Sequence, residues 1–177
     1  GEIFYDNGKL LLKELNRIAR SLKYQLVNKK HSFKVNDIIK NKYFNSCWPN
    51  IIPNSKGKNE KINKYMGIYA FAQIKNKNLY VKYIGISRNI NIRFSCHAKR
   101  YSTSSSSWLN LMLKPHFAKL KSNNVNKRKN IIKQIQKQEI HPCWFTFVPV
   151  NDNMILHMAE VYAVNKLHSY YNSFRTH

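Results

Sequence analysis

The chain of 177 residues carries 31 Lys and Arg against 8 Asp and Glu, which gives a formal net charge of +23 at pH 7. Because 43% of its residues are hydrophobic and 13% aromatic, the composition excludes a disordered basic tail and predicts one globular domain with extensions. A charge of this size repels itself without a polyanion, so nucleic acid is the expected partner, with a membrane surface or an acidic protein as alternatives.

The first 65 residues are predicted to form an N-terminal helical extension and a linker. Apolar residues recur at helical spacing from Leu10 to Leu26, which predicts an amphipathic helix over about residues 4–26. A second short helix is predicted over 35–44. Residues 49–65 contain Pro, Gly, Asn, Ser and Lys in a pattern typical of a linker. We therefore divide the chain into residues 1–65 and a domain over 66–177.

The domain opens with a predicted β-hairpin. Residues 68–74 and 79–85 are rich in β-branched and aromatic residues, and the polar segment 75–78 between them predicts a turn. Ser87-Arg88-Asn89 then begins a helix that runs to about His97, with Ile90, Phe94 and Ile92 predicted to face the sheet.

A helical insert is predicted over about residues 101–140. It begins with a flexible Ser/Thr loop at 102–107 and continues in a helix over 108–121, which Pro115 should kink or split. A Lys-rich helix follows over 124–138.

A third strand and a final helix complete the predicted domain. The strand covers residues 144–150 and the helix 154–167. The predicted fold class is α+β, with few strands.

Carboxylates are scarce in this domain, since only Glu139, Asp152 and Glu160 follow Gly67. Asp152 is expected in a turn or as a helix cap, and Glu139 should screen a basic helix. Glu160 lies on a partly apolar helix face, where a carboxylate is costly unless it pairs with Lys or Arg or binds a metal ion. One carboxylate suits a single hard divalent ion completed by water and phosphate, as Mg²⁺ prefers, and it cannot build a two-metal site.

Four other side chains form a candidate catalytic group. Tyr69 and Tyr83 lie in the two hairpin strands, and Arg93 and His97 share one face of the following helix at i,i+4 spacing. Each alone is an ordinary structural or surface residue. Together they match the needs of phosphodiester hydrolysis, in which a phenol or imidazole activates water and a cation stabilises the phosphoryl oxygens.

These residues, taken in order, resemble the signature of the GIY-YIG nuclease superfamily. The matching elements are Gly67-Ile68-Tyr69, Tyr83-Ile84-Gly85, Arg93, His97, Glu160 and Asn172. The Arg-x-x-x-His spacing is closer to homing and restriction members than to the excision-repair nuclease. The resemblance implies a small three-stranded antiparallel sheet flanked by helices. It also implies hydrolysis of nucleic-acid phosphodiesters with one Mg²⁺ per active site, for which Mn²⁺ can substitute.

The resemblance also assigns roles to individual residues. Glu160 would be the metal ligand and Arg93 the phosphate clamp. Tyr69 would act as the general base or orient the water, while Tyr83 and His97 assist proton transfer.

Asn172 would hold the site together.

Thirteen residues separate Tyr69 from Tyr83, a few more than is usual in the family, so the hairpin should carry a longer turn or a bulge. The insert is also long, and we expect it to face the substrate.

Many Lys and Arg side chains are candidate phosphate contacts, although a solvated helix face explains each of them equally well. In and around the insert they are Arg88, Lys99, Arg100, Lys114, Lys119, Lys121, Lys127, Arg128 and Lys129. On the first helix they are Lys9, Lys13, Arg17, Arg20 and Lys23.

Three functions remain open. The first is a sequence-specific, restriction-like endonuclease that cuts double-stranded DNA to 5′-phosphate and 3′-hydroxyl ends, with a homodimer as one route to double-strand cutting. The second is an interbacterial or plasmid-borne toxin nuclease acting on DNA or RNA and neutralised by an acidic immunity protein. The third is a non-catalytic nucleic-acid-binding module.

The cellular setting is inferred from cysteines and hydropathy. Cys47, Cys96 and Cys143 are far apart and odd in number, which argues against a zinc site or a disulfide framework and favours a reducing compartment. No apolar run of about 18 residues and no signal-peptide pattern occurs, so no membrane partner is expected. We expect the cytoplasm, or a target cell's nucleic-acid compartment for a delivered toxin.

Overall fold

The computed structural model describes residues 2–40, 66–102, 106–119 and 125–172. Within these ranges the helices are α1 (Glu2–Val27), α2 (Val35–Lys40), α3 (Ile90–Ala98), α4 (Ser107–Leu113), α5 (Val125–Ile135) and α6 (Asn153–Leu167). A 3₁₀ helix (Lys114–Lys119) continues α4, and a π-helical turn (Gln136–Ile140) continues α5. The predicted linker, Cys47 and Lys121 lie outside the described residues, as does the end of the predicted second helix.

The described strands form one antiparallel sheet in the order β1-β4-β2-β3. Their bounds are β1 (Ser32–Lys34), β2 (Gly67–Lys75), β3 (Asn78–Ser87) and β4 (Trp144–Pro149). The α+β class is therefore confirmed, but the expected three strands are four. The additional strand, β1, comes from the N-terminal segment and pairs Phe33 with Phe145 of β4. Three residues with one Lys are too short to give a strand pattern in the sequence.

The hairpin contains both a tight turn and a bulge. Asn76 and Lys77 form the turn with positive φ angles of 51° and 64°, the backbone twist that suits a two-residue hairpin. Phe71 pairs with Tyr83 whereas Ala72 pairs with Val81, so Lys82 is the extra residue of a bulge. The expected irregularity in the hairpin is thus confirmed.

The bulge decides which face of the sheet Tyr83 occupies. Residues 81 and 83 would share a face in a regular strand, because side chains alternate with a period of two. Instead, Val81 packs in the core beneath α1 and α6, while Tyr83 packs against the aromatic core on the other face. The extra residue therefore brings Tyr83 to the side that carries Tyr69.

The sheet separates two hydrophobic cores. One face packs Tyr69, Phe71 and Phe145 against α2, α3, α4 and α5. The opposite face packs small and aliphatic residues such as Ala70 and Ile84 against α1 and α6. The N-terminal helix thus forms part of one of the two cores.

Most predicted helices lie close to their expected positions. Pro115 does end α4, since the chain continues there as a 3₁₀ helix. Asp152 caps α6 by accepting a hydrogen bond from the Ile155 N–H at 2.9 Å. One orientation was wrong: Ile90 and Phe94 are buried, but Ile92 is 50% exposed, because 3.6 residues per turn carry it off the buried face. In the described part of the chain, no helix has the length and apolarity needed to cross a membrane.

Candidate active site

Two glycines allow the strands and a tyrosine ring to approach closely. A Cβ on Gly67 would lie 2.5 Å from the carbonyl oxygen of Val148 on β4. A Cβ on Gly85 would collide with the hydroxyl group of Tyr69, the residue that pairs with it across the hairpin. The Tyr69 phenol therefore lies directly over the backbone of β3, in space that any other residue at 85 would fill.

A buried hydrogen-bond chain connects Tyr69 with the first turn of α4. The Tyr69 hydroxyl lies 2.8 Å from His97 Nε2, and His97 Nδ1 lies 2.7 Å from Ser106 Oγ. Tyr69 is 2% exposed and His97 1% exposed. Ser106 Oγ also accepts a hydrogen bond from the Leu109 N–H at 3.1 Å, so this serine caps α4 while holding the imidazole.

Burial keeps both members of the Tyr69–His97 pair neutral. It lowers the pKa of His97 to about 3, and the positive charge of Arg93 contributes to the same shift. Burial also raises the pKa of Tyr69 well above its ordinary value, with Tyr83 adding to the increase and Arg93 opposing it. A neutral imidazole has one donor and one acceptor nitrogen, so it can pass a proton between the phenol and Ser106 without holding a charge.

Tyr83 places a second phenol beside the first. Its ring centroid lies 6.3 Å from that of Tyr69, and its hydroxyl lies 2.9 Å from Ser107 Oγ. The ring stacks in parallel on Trp108 at 5.3 Å. Burial raises the pKa of Tyr83, and the hydrogen bond with Ser107 partly offsets this. Because this hydrogen bond lies in an exposed part of the site, Tyr83 is the phenol nearer to solvent.

The end of α3, which carries His97, is fixed by one side chain from the insert and by one that follows it. Gln136, in the π-helical turn, donates hydrogen bonds to the carbonyl oxygens of His97 and Arg100 at 3.0 and 2.8 Å. His141 Nε2 lies 2.9 Å from the carbonyl oxygen of Ala98. These contacts satisfy carbonyl groups that a helix leaves without partners at its C-terminus. The insert thus holds His97 at two points, with Ser106 bonded to its ring and Gln136 bonded to its backbone carbonyl.

Arg93 and Glu160 approach the two tyrosines from different layers of the protein. Arg93 belongs to α3, on the aromatic face, whereas Glu160 belongs to α6, on the opposite face. Nevertheless, the charges of both residues act on the pKa of Tyr69 and of Tyr83. The tyrosine pair is therefore the point that both charges share.

Glu160 reaches this point at the outer edge of β3. Burial raises the pKa of its carboxyl group, and the charge of His157 and a hydrogen bond from the backbone of Ile86 oppose that shift. Its side chain is half-buried. A carboxylate in such surroundings gains more from a cation than an exposed one does, because less water competes for it.

Asn172 covers the same edge. Its amide group accepts a hydrogen bond from the Ile84 N–H at 2.8 Å and donates one to the Ile84 carbonyl at 2.7 Å. The backbone N–H of Tyr171 donates to the Lys82 carbonyl at 2.9 Å. The segment after α6 therefore pairs with the edge strand in place of a fifth strand, and holds Tyr83 and Ile86 in register.

The predicted phosphate contacts lie mostly on the surface of the domain. Arg88, Lys99, Arg100, Lys114, Lys127, Arg128 and Lys129 are exposed, and Lys119 lies in the 3₁₀ helix. Lys99 and Arg100 follow the end of α3, next to His97. Their contact with nucleic acid stays a prediction.

Sequence reasoning missed Ser106 and Ser107. The tract 102–107 was expected to be a flexible loop, which is wrong for its last two residues, since Ser106 is buried as a cap and Ser107 begins α4. A signal was present, because a serine two residues before the apolar pair Trp108-Leu109 is typical of a helix N-terminus. Gln136 gave no such signal, since a glutamine in a Lys-rich helix is ordinarily exposed.

The residues available as ligands limit the kind of metal ion that could bind. Among the described residues no three His, Cys, Asp or Glu side chains lie together as a metal-binding group. A single carboxylate such as Glu160 is compatible with a hard divalent cation such as Mg²⁺, which keeps most of its water and binds substrate phosphate. It does not suit zinc, which takes several nitrogen or sulfur ligands from the protein.

Comparison of the chain with protein-family models, with curated proteins and with solved structures finds no match. Any functional assignment therefore depends on the geometry of the site and on the sequence signature.

Proposed function

We propose that this chain is a metal-dependent endonuclease of the GIY-YIG type that hydrolyses DNA phosphodiester bonds to 5′-phosphate and 3′-hydroxyl ends. The observation that carries the proposal is the buried 2.8 Å hydrogen bond between the Tyr69 hydroxyl and His97 Nε2. It lies beside a second phenol, that of Tyr83. The positive charge of Arg93 lowers the pKa values of both phenols, and the negative charge of Glu160 raises them. A purely structural core has no need for this combination.

Proton transfer is assigned to the Tyr69–His97 pair. An attacking water would give its proton to the Tyr69 oxygen while the Tyr69 proton moves to His97 Nε2. Tyr69 thus ends the step neutral, and the imidazole carries the positive charge. Since burial alone makes that charge costly, the step requires a nearby anion.

The substrate itself supplies that anion. Arg93 lowers the pKa of His97, so its guanidinium charge works against proton uptake by the imidazole. A phosphate bound by Arg93 would compensate this charge and raise the basicity of His97. Substrate binding and base activation are coupled in this way, which restricts the chemistry to the occupied site.

Glu160 would hold the metal ion, whose contribution as a Lewis acid is to stabilise the leaving 3′-oxygen. Tyr83, nearer to solvent, would orient the attacking water, and Asn172 would keep β3 in place beneath both phenols. Double-stranded DNA is the proposed substrate, with cutting at specific sites. Because each site holds one ion, cutting both strands needs a homodimer or two successive nicks.

The test compares the wild type with Glu160→Gln, which keeps the side chain's shape and removes its charge. Plasmid DNA and total RNA are incubated with each protein, with and without Mg²⁺. We expect Glu160→Gln to lose at least about 10²–10³-fold in cleavage rate while DNA binding is kept or improved. Glu139→Gln is the matched control, since it removes an exposed carboxylate of the same domain.

The products distinguish the three functions. Discrete DNA fragments that a ligase can rejoin support the restriction-like endonuclease and its 5′-phosphate ends. Smeared DNA or loss of RNA supports the toxin nuclease, and no cutting supports the binding module. Wild-type turnover by purified Glu160→Gln would refute the proposed role of the carboxylate.

A further inference from the structure

A second concave surface lies on α1, away from the candidate active site. It is a groove of about 810 Å³ along one face of the helix, closed at one end by the residues just before β1. Lys13, Arg17, Arg20 and Tyr24 line its helical wall, and Lys30 lies at its end. The helical residues recur every three or four positions, so their side chains project from the same face.

The groove and the Tyr69–His97 pair lie on opposite faces of the sheet. Gln25, another lining residue, donates hydrogen bonds to Thr146 Oγ1 and the Phe147 carbonyl on β4, at 2.7 and 3.1 Å. This fixes the groove over β4 and next to β1, whereas Glu160 and Asn172 lie along β3. β4 and β3 are two strand spacings apart, about 9.5 Å, and Tyr69 and His97 pack on the side of the sheet away from α1. The two surfaces are therefore separate.

The groove is strongly cationic. Glu14, the one carboxylate among the described residues that line it, is already engaged by Arg17, with Nη2 2.6 Å from Oε1 and Nε 2.9 Å from Oε2. Among the described residues no carboxylate pairs with Lys13, Arg20 or Lys30. Three exposed cations thus remain along one groove, and two of them, Lys13 and Arg20, are seven residues apart, about 10 Å along the helix.

One aromatic ring completes the groove. Tyr24 is 53% exposed, and Lys30 Nζ lies 5.9 Å from the centroid of its ring. A cationic groove with an exposed aromatic ring is the arrangement that proteins use to hold a nucleic-acid backbone and stack on an unpaired base.

We propose that the α1 groove binds the sugar-phosphate backbone of a nucleic-acid segment other than the one presented to Tyr69 and His97. Lys13, Arg20 and Lys30 contact phosphates, and Tyr24 provides a stacking surface. That the bound polyanion is nucleic acid rather than an acidic protein rests on the proposed function. The groove anchors the substrate on the α1 face of the sheet while cleavage takes place at Tyr69 and His97 on the other, so that one bent duplex or two segments are held together.

The test removes the three cations without touching the active site. Lys13→Gln, Arg20→Gln and Lys30→Gln are combined in one variant. The matched control combines Lys75→Gln, Lys77→Gln and Lys166→Gln, which remove the same charge from exposed positions outside the groove. Binding of fluorescent duplex and single-stranded DNA of about 20 nucleotides, longer than one site, is measured by anisotropy in EDTA over a salt series.

We expect the groove variant to bind about ten- to a hundredfold more weakly, and its plot of log K against log salt to lose about three units of slope. The control should retain most of the slope. A larger loss with the single strand identifies an unpaired segment as the occupant, and a larger loss with the duplex identifies a paired one. Equal behaviour of the groove variant and the control would overturn the proposal.

Polyglutamate serves as a competitor to separate nucleic acid from an acidic protein. If the groove variant loses affinity for polyglutamate as strongly as for DNA of equal charge, the groove is a site for acidic protein and the proposal is wrong. Failure of the nuclease proposal is visible separately, as cleavage that does not depend on Glu160, because the groove measurement uses no metal and no cleavage.

Discussion

The depressed pKa of His97 makes the stability of the protein depend on pH in a way that one substitution should remove. Burial, aided by Arg93, lowers this pKa from 6.5 to about 3 on folding. Below pH 6.5 the unfolded chain therefore binds a proton at His97, whereas the folded protein does not bind it until the pH approaches 3. Stability from this source is complete above pH 6.5 and is lost as the pH falls towards 3. Between pH 7.5 and pH 5 the loss is about 2 kcal/mol.

Replacement of His97 by Gln tests this value. Gln can still contact the Tyr69 hydroxyl but does not titrate. We expect the difference in unfolding free energy between pH 7.5 and pH 5, measured by urea denaturation, to be about 2 kcal/mol smaller in His97→Gln than in the wild type. His168→Asn is the control, since this exposed histidine ends α6 at a positive φ of 52°, which Asn tolerates. An unchanged pH dependence in His97→Gln would show that the imidazole is not buried neutral.

Two further substitutions test the surroundings of the pair. Gly85→Ala should place a methyl group against the Tyr69 hydroxyl. We expect it to lower the free energy of unfolding, measured by urea denaturation, by about 1–3 kcal/mol and to reduce cleavage by about 100-fold. Wild-type values for both would contradict the close packing. Ser106→Ala should lower the free energy of unfolding by about 1–2 kcal/mol, because His97 Nδ1 and the Leu109 N–H both lose their hydrogen-bond partner. Ser106→Thr, which keeps the hydroxyl group, should recover most of this loss. Equal stability of the two variants would argue against a role for the hydroxyl.

The fold of the domain was largely predictable because its elements follow local rules. The two hairpin strands, the helix that starts near Asn89 and the helix after Asp152 each carry a turn residue or cap beside a clear apolar pattern. Pro115 marked the end of α4 for the same reason. Such signals lie within a few residues of the structure they determine, so a single sequence is enough to read them.

The fourth strand and the placement of α1 could not be predicted in this way. β1 has three residues, and its pairing with β4 joins positions more than a hundred residues apart. The stripe of Leu15, Ile18 and Leu22 showed that α1 is amphipathic, but no local feature indicates that its partners are α6 and the sheet. Long-range packing decides this, and the apolar stripe accepts any apolar surface.

The candidate site shows the same limit at the level of side chains. The signature brought Tyr69, Tyr83 and His97 together correctly, because the hairpin and the following helix fix them locally. It did not reveal that the bulge at Lys82 is needed to turn Tyr83 to the face of Tyr69. Without the bulge, the two-residue turn would pair Tyr69 with Ile84 and leave Tyr83 on the opposite face, and only the extra residue changes that relation.

The outer side of β3 is where residues of the α6 layer contact the hairpin. The N–H and carbonyl groups of Ile84, on the outer side of β3, are held by the Asn172 side chain, while the Ile86 backbone meets Glu160. Both partners come from α6 and the segment after it, on the face opposite to Arg93. A carboxylate from that layer can approach the two phenols only around an edge strand, since a central strand would have a neighbour in the way. The position of β3 at the edge of the sheet is therefore what allows one acidic and one basic residue from separate layers to act on the same pair of tyrosines.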